Sequence, residues 1–489
     1  MPQSGPLSGV LVLDLTRVLS GPFCTMMLAD MGARVIKVER PGDGDETRAW
    51  GPPFVGGESA YFLGTNRNKE SIALDFKRLD GRRIIDRLVD QADVVVENFR
   101  PGTLARLGLD YASLKEAHPK LVYASISGFG QTGPRQFEAG YDAVVQAEGG
   151  LMSITGDAGG PPFRVGVAIA DLVAGMLAAH GIVLSLFARE KTGRGQQVDI
   201  GMLDGVVSIL SYHASMHLTA NIRSGRVGNR HATIAPYDTF AAADGEFFLA
   251  VGNDDQFRRF CTAAGVGSLP QDPRYATNPA RVVHHLELRQ QLSPVLCMRP
   301  RAYWIEILTG AGVPCGAVRD VPEALADPQI LAREMIQSVE HITAGMLKVV
   351  GVPIKLSETP GSVRAAPPTL GQHTDAILRE LQVGDDEIVR LRDARVIVNA
   401  LRAEGYSFTV STPGRGLRVS LDQGRDDFIE LALNTDTDQP SIVGRVRRTR
   451  GSRTLDDERA VKPGAAPQDV SENDLLEFLA LALEPWLER

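Results

Sequence analysis

"GVLVLDLTRVLSGPFCTMMLADMGARVIKVER", residues 9–40, holds two short apolar runs on either side of a helical stretch. GVLVLDL (9–15) and ARVIKVER (33–40) are too short for core helices and are rich in β-branched residues. CTMMLADMG (24–32) between them carries helix formers and closes on glycine, a common helix stop. This is a strand–helix–strand unit. The pattern recurs with SIALDF (71–76), the helical GRRIIDRLVDQ (81–91), ADVVVENF (92–99) and LVYASISGFG (121–130). GQQVDIGMLDGVVSILSYHASMHL (195–218) adds one more strand, then a long helix. Apolar strands alternating with helices predict an α/β fold with an open, doubly wound parallel sheet covered on both faces.

The texture changes after about residue 220. TFAAADGEFFLAVGN (239–253) reads as a hairpin turning at Asp244-Gly245, with helices near 254–264, 281–297 and 302–311. The expected division is a large α/β domain over 1–220, a smaller α+β domain over 221–330, and a returning segment over 331–397. A C-terminal α+β appendage, 398–489, completes it. In that appendage ALRAEGYSFTVSTPGRGLRVSL (400–421) predicts a helix and a hairpin, and the polar stretch 434–474 predicts partial disorder. NDLLEFLALALEPWLER (473–489) predicts an amphipathic helix.

The 489 residues are 43% hydrophobic and 23% charged, an ordinary globular composition. A net charge of −8 argues against nucleic acid as a partner. The basic cluster RVRRTRGSR (445–453) reads as a solvated loop. Cys24, Cys261, Cys297 and Cys315 have no C-x-x-C spacing, which implies neither a zinc site nor a disulfide framework and points to the cytoplasm. No apolar run is expected to span a membrane, and Asp14 interrupts the first one, which reads as a strand and not a signal peptide.

GFGQTG (128–133) matches the dinucleotide pattern G-x-G-x-x-G, but Pro134 and Arg135 follow where a helix should begin. It reads as a glycine-rich active-site loop. No H-E-x-x-H or G-x-S-x-G spacing occurs. Arg17, Arg40, Arg48, Arg67, Arg100 and Arg106 lie at or just past strand ends. In a doubly wound sheet that edge carries the ligand site, so these arginines suggest a pocket for a polyanion. In VAIADLVAGM (167–176), Asp171 stands alone among apolar neighbours. It is either the N-cap of the helix that follows or a reactive carboxylate at that helix's positive end.

Several of these stretches also carry a resemblance. LDLTRVLSGPFCTMMLADMGARVIKVERPGDGDETRAWGPPF, NRNKESIALDF, VENFRPGTLARLGLDY, GFGQTGP, AGYDAVVQA, GVAIADLVAG and KTGRGQQVDI occur in order. Together they resemble the class III CoA-transferases, over roughly residues 5–397. TRVLSGPF, RAWGPPFVG and GNRHATIAPY are most similar to the members that act on succinyl-CoA with glutarate or hydroxymethylglutarate. The resemblance implies two open α/β domains and an interlocked homodimer. It implies coenzyme A thioesters and small carboxylic acids as substrates, with no metal and no prosthetic group.

It also implies that Asp171 attacks the thioester and carries the acyl group and then the coenzyme as covalent intermediates. By the same resemblance Val18, Ser20, Arg40, Leu74, Asn98, Phe99 and Arg106 contact coenzyme A, and Trp50 and Tyr141 flank the reacting acyl group. Arg17, Arg67 and Arg164 are candidates to grip a dicarboxylate. The chain departs from the formyl-CoA branch in lacking its tetraglycine loop and in carrying Ala139 where that branch has a coenzyme-contacting lysine. The related α-methylacyl-CoA racemases are the alternative, but their histidine base is replaced by Tyr141. A non-catalytic CoA-binding protein is a third reading, disfavoured by the intact Asp171.

Overall fold

The computed structural model describes residues 5–394 and 396–398, and, by backbone alone, the strands between 402 and 460. Residues 1–140, 171–205 and 334–489 group as one compact unit, and 141–170 with 206–333 as a second. Segments 141–170 and 206–220 therefore group with the smaller unit, where the sequence placed them in the larger domain.

The first unit is built on a seven-stranded sheet. Its strands are β1 (Leu11–Asp14), β2 (Arg34–Glu39), β3 (Lys69–Leu74), β4 (Val94–Glu97), β5 (Val122–Ser127), β6 (Gln197–Gly201) and β7 (Ile397–Val398). The spatial order is β7-β3-β2-β1-β4-β5-β6. The first six are parallel, and β7 closes one edge antiparallel, with Ile397 opposite Leu74. Val12 pairs with Val35 on one side and Val94 on the other. The chain thus winds outward from β1 in both directions, so the crevice between β1 and β4, at their C-terminal ends, is the switch point where such sheets bind ligands. Helix α1 (Ser20–Asp30) follows β1, and α2 (Leu79–Gln91) buries Ile84, Ile85, Leu88 and Val89 against the sheet. The core they join includes Leu13, Ile36, Ile72, Leu74, Tyr123, Leu378 and Ile397.

Helix α3 (Ile169–Thr192) starts three residues earlier than a cap at Asp171 would allow, so Asp171 is the third residue of its first turn and not the N-cap. The Asp142 carboxylate takes over the capping work, accepting the Ala170 N–H at 2.8 Å. At 24 residues α3 is long and apolar enough to cross a bilayer, which corrects the expectation that no such run exists. Half of its most apolar window is buried in protein, however. Gly175 and Gly181 let it close on the Ser20 carbonyl and on Val198, as in a core helix.

The second unit carries the three-stranded antiparallel sheet 315–317, 245–250, 237–242, with Gly245 opposite Ala242 across the tight hairpin turn. Helices Asp254–Ala263, His285–Leu296 and Arg301–Gly310 pack Phe257, Phe260, Leu288, Leu292 and Trp304 onto its Phe240, Phe247 and Leu249.

Beyond β7 the chain forms a six-stranded antiparallel meander over 402–460, its strands adjacent in chain order. In place of the expected helix Arg402–Ala403 is a strand, and within the expected partly disordered stretch 434–474 Ser441–Arg450 and Arg453–Ala460 are strands, while 435–440, 451–452 and 461–474 lie outside the described residues. The arginine run lies in a strand and not in a loop. Arg445 lies between Glu430 and Glu458 in register, and Arg447 opposite Asp456. The expected terminal helix (473–489) lies outside the described residues.

Candidate active site

The loop after β1 (residues 15–19) sits on charges buried inside the sheet. Asp14 is 0% exposed and accepts from Thr16 N at 2.9 Å, Thr25 Oγ1 at 2.6 Å and Lys69 Nζ at 3.1 Å. Burial opposes its ionisation, yet Lys69 and Lys37, with the two threonine hydroxyls, hold its carboxyl down at about 2. Lys37, also fully buried, donates to Thr16 O at 2.8 Å and pairs with Asp45 at 2.9 Å. Asp45 in turn accepts the Val18 N–H at 3.2 Å. Removing one member of such a set leaves an uncompensated buried charge, a loss of about 3–5 kcal/mol. These ions are the residues that sequence reasoning missed. The available signal was a charge inside each apolar strand: Asp14 in LVLD, Lys37 in RVIKVE, Lys69 in KESIAL.

Above this layer the parallel strands deliver the expected ligand residues to one edge. Ser20 is buried at the first turn of α1, and Val18 holds a left-handed φ of 69°, rare for a β-branched residue. Arg17 is exposed, paired with Glu46, and lies 5.1 Å from the centre of the Phe99 ring. Asn98 and Phe99 follow β4 directly. Arg40 is exposed and pairs with Asp43 at 2.7 Å, and Arg100 and Arg106 are exposed. Trp50 is 44% exposed, edge-on to Tyr61 at 5.1 Å.

Three expectations at this edge change. Arg48 does not face a ligand, because it is locked on Glu39 through two 2.7 Å bonds and stacked 3.6 Å over Phe62. Arg67 is not at this edge at all: it precedes β3, at the N-terminal end of the parallel strands, and is spent on Asp30 at the end of α1, at 2.6 and 3.0 Å. Leu74 is 1% exposed, and its strand partner Ile397 covers it at the sheet edge, so its side chain reaches no ligand. A charged arginine buried at a strand end is stable only with a carboxylate beside it, and here the carboxylate comes from the protein.

A cavity of about 120 Å³ opens beside the Asn98–Arg106 loop, lined by Glu97, Arg100, Asp110, Tyr123, Ser125 and Gln131 among others. Burial pushes Glu97 up to about 7, against the pull of the Phe99 N–H and Ser125; Asp199 and Asp110 add to the rise. The GFGQTG loop follows β5 with Gly130 and Gly133 at positive φ, and no helix begins until Asp142. Its Gln131 N–H is held by Asp199 at 3.1 Å. This is a loop fixed by a carboxylate and not a dinucleotide turn.

Asp171 is half-buried, in the positive first turn of α3. Gly175, one turn on and on the same face, comes so close to α1 that a Cβ there would lie 2.6 Å from Ser20 O. The contact with α1 therefore falls at Gly175, four residues and about 6 Å of helix rise beyond Asp171. Tyr141 and Arg164 belong to the second unit. Tyr141 is 72% exposed and precedes the Asp142–Glu148 helix, while Arg164 is exposed and donates to the carbonyls of Val165 and Gly166. Among the described residues no group of three or more His, Cys, Asp or Glu side chains is arranged to hold a metal ion.

The model of CoA-transferase family III matches residues 7–374. The human succinyl-CoA:glutarate CoA-transferase is 44% identical over 384 residues, covering 78% of this chain and 88% of that protein. The acetyl-CoA:oxalate CoA-transferase of Acetobacter aceti is 43% identical over 384 residues, covering 77% and 96%. Among solved structures, a CAIB/BAIF family protein from Brucella suis superposes with a TM-score of 0.71 at 41% identity, covering 78% of this chain and all of that one. A match across three quarters of the chain, on a doubly wound parallel sheet of the same architecture, makes this protein a member of CoA-transferase family III.

Proposed function

We propose that this enzyme moves coenzyme A from a dicarboxylyl-CoA, such as succinyl-CoA, to a second carboxylic acid through covalent intermediates on Asp171. The observation that carries this reading is the placement of Asp171. An ionisable carboxylate stands in the positive first turn of α3, held to the start of α1 by Gly175 at the ligand edge of the sheet.

The Asp171 carboxylate attacks the thioester carbonyl, the C–S bond breaks, and the coenzyme thiolate leaves a mixed anhydride. The thiolate attacks the aspartyl carbonyl of that anhydride and expels the donor acid, leaving an aspartyl thioester. The acceptor carboxylate attacks the thioester and again frees the thiolate. The thiolate then takes the acceptor's acyl carbon and restores the Asp171 carboxylate. Each intermediate keeps the free energy of the thioester, so no outside energy source is needed.

Relatives of equal similarity differ in their named acids, so overall identity does not select the acceptor. The dicarboxylate reading rests on Arg17. It is exposed and charged at the ligand edge, where a substrate carboxylate can take the place of Glu46 on its guanidinium. The stripe Met176, Leu177, Val183, Leu184 and Phe187 on α3 is exposed and supports burial against a second copy in a homodimer. A cytoplasmic site agrees with the free thiol of Cys297 on the surface.

Asp171→Asn tests the mechanism. It should abolish transfer yet leave coenzyme A affinity nearly intact, and hydroxylamine during turnover should label Asp171 in the native protein alone. Transfer within tenfold of native would remove Asp171 as nucleophile.

A further inference from the structure

We infer that Asn98 is a positioning residue, whose amide clasps the loop over residues 15–19 in the conformation that receives the coenzyme, and does not read the coenzyme itself. The inference rests on the reading above, in which that loop meets the acyl-CoA. Its basis is the wiring of the loop.

Asn98 Oδ1 accepts the Arg17 N–H at 2.9 Å, and Asn98 Nδ2 donates to the Arg17 carbonyl at 2.7 Å. One side chain thus imitates a neighbouring strand across a whole residue, and both ends of its amide are engaged. The flanking groups are held from beneath: Thr16 O by Lys37 and Val18 N by Asp45. Such a grip has a purpose at this place. Val18 sits at φ 69°, which a β-branched residue adopts only when its surroundings impose it. Phe99, the next residue along from the clasp, lies under the Arg17 guanidinium at 5.1 Å, so the 98–99 segment holds Arg17 by backbone and side chain together. Phe99 N is itself fixed on Glu97 Oε2 at 2.8 Å, which anchors the clasp to β4.

The test uses the full-length enzyme and three measurements: amide hydrogen exchange over residues 15–19 without ligand, the Kd for coenzyme A by calorimetry, and kcat at saturating acyl-CoA. Asn98→Ala should raise exchange in that segment and weaken coenzyme A binding by about tenfold, the loss of two hydrogen bonds, with kcat within about threefold of native. Asn98→Asp, the same size but unable to donate, should show the same changes to a smaller degree, and it serves where the alanine variant folds poorly. Val18→Gly, which frees the loop by another route, should add nothing to the Kd of Asn98→Ala. Weaker binding with unchanged exchange would make Asn98 a direct coenzyme contact and overturn the inference. Raised exchange with unchanged Kd would overturn it too, because the loop would then not shape the coenzyme site. Exchange is read without substrate. Transfer retained by Asp171→Asn would therefore defeat the mechanism above and leave the role of the clasp untouched.

Discussion

Gly175→Ala asks whether the contact between α1 and α3 sets the nucleophile. A Cβ built at Gly175 lies 2.6 Å from Ser20 O, 3.2 Å from Phe23 Cδ1 and 3.4 Å from Cys24 N. The nearest atom is backbone at the start of a helix, so it cannot swing aside. To reach the 3.4 Å of ordinary contact the helices must part by about 0.8 Å. Overpacking of this kind costs about 1–3 kcal/mol, and alanine returns about 1 kcal/mol in helix propensity. The net effect on stability is then about 0–2 kcal/mol, a few degrees in Tm at most. Catalysis should suffer more, because Asp171 is one turn away and a ~1 Å misplacement of a reacting group can cost about a hundredfold. The expectation is a kcat lower by about 10- to 100-fold, read from acyl-CoA products by mass. Gly181→Ala is the control. It meets a side chain, Val198 Cγ1, at 2.6 Å, ten residues from Asp171, and should lose stability while keeping kcat within about twofold. A Gly175→Ala enzyme with native kcat and raised Tm would refute the idea that this glycine places the carboxylate.

Glu97→Gln should change how stability responds to pH. The folded state holds a proton on Glu97 up to about 7, against an ordinary 4.5, so it binds more protons than the unfolded chain between those values. Stability from this group is therefore full below about 4.5 and lost as pH rises to 7, by up to about 3 kcal/mol. The glutamine variant should be more stable than native at pH 8 and less so, or equal, at pH 4.5; parallel melting curves at both would count against a buried, protonated Glu97. Stopping the chain after Val398 should keep transfer activity, since β7 is retained and the edge of the sheet stays covered at Leu74; a truncated enzyme that folds but does not transfer would give the appendage a part in the site. Arg17→Met should raise KM for succinate or glutarate by about ten- to a hundredfold and leave butyrate little changed, because only the dicarboxylates use the guanidinium. Equal losses for both acids would show that Arg17 shapes the loop and does not read the substrate.

Much of this protein could be read from local pattern. Short apolar runs between helices dictated a parallel sheet, because a strand buried on both faces has no polar alternation to keep. The strand ends located the ligand edge, since every parallel strand delivers its following loop to the same side. Asp171 stood out because a carboxylate in so apolar a stretch needs a reason.

Pairing was not legible. Six arginines near strand ends look alike in sequence, and only the fold divides them: Arg48 turns inward onto Glu39, Arg67 pairs with Asp30 at the opposite end of the sheet, and Arg17, Arg40, Arg100 and Arg106 stay exposed. Lys69 finds Asp14 across 55 residues because β3 and β1 flank β2, a fact of sheet order and not of spacing. Leu74 is covered by a strand that returns from residue 397. Asp171 is not a cap because α3 begins upstream, at Ile169, where Asp142 from a different helix accepts the Ala170 N–H. The common reason is that hydrophobic periodicity is a property of neighbours along the chain, while the neutralising of a buried charge or helix end depends on neighbours in space, which exist only once the sheet has closed.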